Sequence, residues 1–229
     1  MIVYIEIPFG AGRLAFRAFR DALGEERVGW LGQTATMADL AAPDAPSRYA
    51  VVGGRAALAD LASLPGARLF ATMVSDPVSR TTVAWAAWRR DARHPLHWLP
   101  HTFDLREAFE GAVEEAQPIT GAMASHLRPP GASATIDGIV AGLRAMPFLI
   151  GFPDHPQAFA RMLERRLDLQ RSALDVDAFR ENGRVPKNAE VAAVITAATV
   201  RDRALLARLR EARGSAKVLD LSRRRLGLW

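Results

Sequence analysis

An apolar run, Ile2–Ile7, is followed at once by Pro8-Phe-Gly-Ala-Gly12 and then, from Arg13, by apolar residues at helical spacing. A buried strand, a tight small-residue turn and a helix in that order restrict the chain to α/β architectures. On the Arg13–Leu23 helix, Ala15, Phe19 and Leu23 share one face and Arg13, Arg17 and Arg20 the other. A strand, a short loop and a helix N-terminus also gather free N–H groups around a possible anion. Gly10, Ala11, Gly12, Arg13 and Leu14 therefore form the first candidate site, open to two readings: an anion cradle with Arg13 as its cation, or a plain strand–helix turn.

The pattern repeats along the chain. Tyr49–Val52, Arg68–Val74 and Phe148–Phe152 read as further buried strands, with a shorter one at Val28–Leu31. Between them lie helical patterns at Arg55–Ser63, Thr81–Arg90, Leu105–Glu115, Ile136–Met146, Pro156–Leu169 and Ala189–Ala212. Asp76 suits an N-cap and Pro77 the first helical turn. Short, two-sided apolar strands alternating with helices predict one mainly parallel central sheet flanked by helices. The expected organisation is a single domain over 1–229, with a C-terminal helical segment from about residue 188. Gln117–Thr135, with Pro129-Pro130-Gly131, is expected to be mobile, His94–His101 irregular between two prolines, and Arg171–Lys187 a linker.

Composition narrows function. The chain lacks cysteine, which excludes thiolate chemistry and cysteine metal sites. No apolar run reaches the ~20 residues needed to cross a bilayer, and no signal peptide is evident. A cytoplasmic protein without a membrane partner is expected. The net charge of +5 comes almost wholly from arginine. It favours phosphorylated or sulfated partners in general, but no nucleic-acid motif accompanies it, and the Arg223–Arg225 run reads as a solvated tail. His94, His97 and His101 carry no suitably spaced acidic ligand and are not expected to hold a metal. Trp85 and Trp88, three apart, read as core. Glu6, at the end of the first strand, is either a general base or a carboxylate paired with an arginine such as Arg55 or Arg80. Arg55 is either an anion contact or an ion-pair partner, and Arg80 a brace for the turn before its helix.

The order of these segments resembles the sulfotransferase family of the bacterial carbohydrate and small-molecule type. That family's loop, Ile-Pro-Lys-Thr-Gly-Gly-Thr-Ser, corresponds to Ile7-Pro8-Phe9-Gly10-Ala11-Gly12-Arg13-Leu14. Its second block, Leu-Arg-Asp-Pro-Val-x-Arg-x-x-Ser-x-Tyr, corresponds to Val74-Ser75-Asp76-Pro77-Val78-Ser79-Arg80-Thr81-Thr82-Val83-Ala84-Trp85. Its Gly-His is Gly54-Arg55, while Phe148–Phe152 and Val200–Leu205 resemble its late strand and closing helix. The resemblance implies a P-loop-like fold, 3′-phosphoadenosine 5′-phosphosulfate (PAPS) as donor and a hydroxyl on a carbohydrate or small molecule as acceptor. It places Phe9 to Leu14 at the 5′-phosphosulfate and Ser75, Arg80 and Val83 near the 3′-phosphate. The catalytic candidates beside them are Glu6 from its place at the end of the first strand, Arg13 as the loop's cation and Arg55 as an anion contact. The family's charged and hydroxyl groups are replaced at Phe9, Ser75 and Val83, so the alternative implied is a catalytically inactive sulfotransferase-like binding or regulatory protein.

Overall fold

The computed structural model describes residues 1–12, 14–111, 113–180, 186 and 188–222. In chain order the elements are β1 (Ile2–Ile5), α1 (Ala15–Leu23), β2 (Val28–Trp30), α2 (Met37–Ala41), α3 (Ala45–Arg48), β3 (Val51–Gly54), α4 (Leu58–Leu61), β4 (Leu69–Met73) and α5 (Pro77–Arg90). They continue with α6 (Leu99–Thr102), α7 (Leu105–Glu110), α8 (Gln117–Thr120), α9 (Ala122–His126), α10 (Ile136–Arg144), β5 (Phe148–Gly151), α11 (Pro156–Leu167), α12 (Ala189–Ala198), α13 (Val200–Arg213) and β6 (Leu219–Asp220).

One six-stranded sheet runs in the order β2-β3-β1-β4-β5-β6. Every pairing is parallel except that of β5 with β6, so the expected mainly parallel α/β sheet is present. β1 is central, with Ile2 opposite Val51 on one side and Leu69 on the other. Its side chains alternate between two apolar layers, as strand geometry requires. Val3 and Ile5 face a layer built with Leu58, Leu61, Ile139, Leu143, Leu205 and Leu209. Ile2 and Tyr4 face the other, built with Phe16, Phe19, Trp30, Phe159, Leu163 and Phe179. A third cluster, away from the sheet, joins Trp88 of α5 to Leu99, Phe109 and Ile119.

Four expectations are corrected. The 117–135 region, expected to be mobile, carries α8 and α9, and Met123, Ala124 and Leu127 are fully buried. The apolar spacing there was masked by the Pro129-Pro130-Gly131 signal, which falls only in the link to α10. The long C-terminal helix is two helices. Thr199 bonds its hydroxyl to the Ile195 carbonyl (2.7 Å) and leaves helical geometry, and a Thr competing with the backbone favours such a break. Residues 94–101 include the start of α6, because Pro100 sits in a first turn, where proline costs nothing. The helix from Leu105 stops at Glu110, with a separate 3₁₀ turn at Glu114–Ala116. The proposed 171–187 linker lies partly outside the described residues; its described portion includes the turn Val176–Phe179, where Phe179 is buried in the core. The Arg223–Arg225 tail lies wholly outside them. No helix among the described residues is long and apolar enough to cross a membrane.

Helices α5 and α13 and the two short middle ones, α8 and α9, are tied together by charge. Arg80 of α5 and Asp202 of α13 form a fully buried ion pair, Nη2 to Oδ2 2.6 Å. Asp202 also accepts the Met123 N–H (2.9 Å) and the Ala124 N–H (2.8 Å), the first-turn donors of α9. The Arg80 Nη2 further donates to the Ile119 carbonyl (2.9 Å). Asp202 therefore caps one helix while neutralising another. Asp202→Ala orphans three buried donors and should cost about 3–5 kcal/mol. Arg80→Met leaves the carboxylate held by two amides and should cost less. Urea denaturation of both variants measures the difference.

His126, in the last turn of α9, bonds the Ala122 carbonyl through Nδ1 (2.8 Å). Burial, and secondarily the Arg80 charge, lower its pKa below the usual histidine value. The unfolded chain therefore takes up this proton at a higher pH than the folded one. Below about pH 6.5 the unfolded state gains from protonation and stability should fall, levelling off once the folded pKa is passed. A His126→Gln variant should show a flatter stability profile between pH 7 and 5.

Candidate functional site

The connections reverse direction at β1. The chain leaves β1 toward β2 on one side, returns through β3, and crosses to β4 on the other. In open parallel sheets this switch point, at the carboxyl ends of the strands, is where ligands bind. The loops after β1 and β4 meet there, and they carry most of the sequence's candidate residues.

These loops bind each other. The Ala11 N–H donates to the Ser75 Oγ, at 2.5 Å. The Gly10 N–H donates to the Ile7 carbonyl (3.1 Å), and the Gly12 carbonyl accepts from Ala15 (2.9 Å). Gly10, Ala11, Gly12 and Ser75 are all buried. A Cβ on Gly10 would lie 2.6 Å from the Ser75 Oγ. Gly12 adopts φ +80°, and a Cβ there would lie 2.0 Å from the Tyr4 Oη. Both glycines are needed for contact between protein and protein. Leu14 is half-buried and precedes α1 without a side-chain cap. Arg13 lies outside the described residues.

Phe9 fills the position the resemblance assigns to a lysine. It holds φ +56°, unusual for a residue with a side chain. Its ring packs edge-on against Trp88 (6.2 Å between centroids) and against His94 (6.3 Å). The Arg55 guanidinium lies 5.8 Å from its centre. Packing offsets the backbone strain and closes this side of the loop.

Glu6 and Arg55 pair with each other, Nε to Oε1 2.8 Å. The Glu6 side chain is 5% exposed and that of Arg55 59%. The arginine pairing that the sequence allowed for Glu6 is present, with Arg55 as the partner. Arg80 is not at the loop. Its side chain is fully buried against Asp202, so neither a turn brace nor a ligand contact describes it. A single sequence cannot reveal that pairing, because Asp202 lies 122 positions away. Val83 is half-buried on α5. Asp76 caps α5 as expected, accepting the Ser79 N–H at 2.9 Å. Trp85 and Trp88 pack as core with Phe109 and His94. His97 bonds the Trp88 carbonyl through Nδ1 (2.9 Å). Among the described residues no group of three or more acidic, histidine or cysteine side chains gathers to hold a metal.

Tyr4 supports the loop from below. Its hydroxyl is buried, and the Met73 backbone N–H gives it only a poorly formed contact. Burial, followed by the Glu6 charge, raises its pKa far above the usual tyrosine value. Tyr4→Phe should be nearly neutral, since it removes a poorly satisfied buried hydroxyl. Gly12→Ala should cost about 2 kcal/mol or more through strain and the clash. The double variant should recover part of that cost, a coupling that a denaturation double-mutant cycle reads directly.

A concavity lies at the far edge of the sheet. It is an open groove of about 1100 Å³ between α11, the end of α13 and β6. Sequence reasoning missed it because its residues come from three separated segments, none of them a motif. No family model, curated protein or solved structure matches this chain.

Proposed function

We propose that this chain is a sulfotransferase-like protein whose donor loop has become a structural junction, and that it acts by binding rather than by PAPS-dependent sulfuryl transfer. The observation that carries this reading is the Ser75 Oγ on the Ala11 amide. A phosphate cradle needs loop amides pointed at the ligand. Here one is held by the neighbouring loop and another, that of Gly10, by the Ile7 carbonyl.

The surrounding groups agree. Phe9 has no proton to give a bridging oxygen, and its ring is packed on Trp88 and His94. Ser75, at the position of a 3′-phosphate arginine, spends its oxygen on the loop. Catalysis of group transfer depends on preorganised donors worth ~3 kcal/mol each, and the loss of several leaves little to stabilise a transition state. The P-loop-like part of the reading is supported by β1 at the sheet centre, followed directly by the loop and α1 at the switch point.

Calorimetric titration with 3′-phosphoadenosine 5′-phosphate, the expected product, tests the proposal. The expected result is no binding stronger than about 1 mM, about 4 kcal/mol. Micromolar binding, or transfer of radiolabelled sulfate from PAPS to a carbohydrate or small-molecule hydroxyl, would overturn it and restore the transferase reading, with PAPS or an altered donor.

A further inference from the structure

The groove at the β6 edge is positively charged in an organised way. Arg161 and Arg165 stand one turn apart on α11 and both are exposed. Lys217 faces them from the segment before β6. None of the three has an acidic partner among the described residues. The two carboxylates among the described lining residues are already neutralised: Asp154 by Arg213 (3.1 Å) and Asp220 by Arg166 (3.2 Å). Arg213 is held rigidly, its side chain 13% exposed and its guanidinium 4.4 Å from the centre of the Phe152 ring. Arg180 lines the same groove, paired with Asp177 at its solvent side. α11 begins here with Pro156, and its first turn has no acidic residue and no side-chain cap.

We propose that this groove binds a short, flexible polyanion bearing sulfate or phosphate groups. Its volume is far larger than one oxyanion requires, so several charged groups along a chain are accommodated. Arginines present paired donors that match such oxygens. Among the described residues, no Phe, Tyr or Trp lines the groove. Single-stranded nucleic acids gain much of their affinity from bases stacked on aromatic rings, so a ligand without bases fits better. The floor is short and aliphatic, formed by Ala158, Met162 and Val218. The proposal does not rest on the reading of the switch-point loop, which lies near the sheet centre, whereas β6 forms one edge.

Two probes separate the sources of the shared chemistry: inorganic tripolyphosphate and a heparin-derived hexasaccharide. Each is titrated calorimetrically into the full chain at low ionic strength, beside an oligothymidylate of similar charge. Binding of either probe should weaken about tenfold or more in Arg161→Ala/Arg165→Ala/Lys217→Ala. The milder Arg161→Gln/Arg165→Gln should weaken it less. A control, Arg89→Ala/Arg90→Ala on the exposed end of α5, should leave it unchanged. Binding of the hexasaccharide alone assigns a sulfated carbohydrate, and binding of tripolyphosphate alone assigns a phosphate chain. The proposal is overturned if neither probe binds, if the control weakens binding as much as the groove variants do, or if oligothymidylate binds more tightly than both through the same residues.

Discussion

The buried Arg80–Asp202 pair joins parts of the chain far apart in sequence, beside the apolar packing of Met123 of α9 and the adjoining Leu127 with Leu205 and Leu209 of α13. α5 follows a central strand, whereas α13 arrives much later in the chain, Asp202 lying 122 positions after Arg80, in the layer that covers the sheet. α8 and α9, only a few residues each, could not persist alone. The Asp202 carboxylate supplies the missing acceptor at the start of α9, and the Arg80 guanidinium draws the Ile119 carbonyl against the same point. Two Arg80 nitrogens, Nε and Nη1, find no acceptor among the described residues. The pair is thus an organiser of geometry more than a source of net stability.

That tie has a cost for any anion site nearby. An arginine committed to a buried carboxylate is not available at the surface, and Arg80 is committed in that way. The switch-point loops show the same trend on a smaller scale. The Ala11 amide is taken by the Ser75 hydroxyl, and the Phe9 ring packs against Trp88. The loop is held by its own contacts, with the buried Tyr4 hydroxyl left beside it without a hydrogen-bond partner among the described residues.

What could be read from the residues followed from their period. Strands such as β1 and β5, buried on both faces, announce themselves as continuous apolar runs, and helices such as α1 by an arginine face opposite an apolar one. β6 could not be read: two residues carry no period, and their place depends on pairing with Leu149 and Ile150 some seventy positions earlier. α2 and α3 were lost among Pro43 and Pro46 for the same reason of length. At the site, the chemistry of Glu6 with Arg55 was open to reading because few partners were possible. Arg80 was misplaced because its partner is a single Asp in a helix full of charges. Proximity in sequence governs the first kind of inference and burial the second, and burial is a property of the whole fold.

The lone antiparallel pairing has a consequence for how the protein is made. β5 is synthesised well before β6, and it sits at the sheet's growing margin. Until Leu219 and Asp220 emerge from the ribosome and reverse onto it, its outer row of peptide groups stays unpaired beside apolar side chains. Such a margin can recruit a strand from another nascent chain. A two-residue strand is enough to end that exposure, and its brevity limits how much new margin it opens in turn.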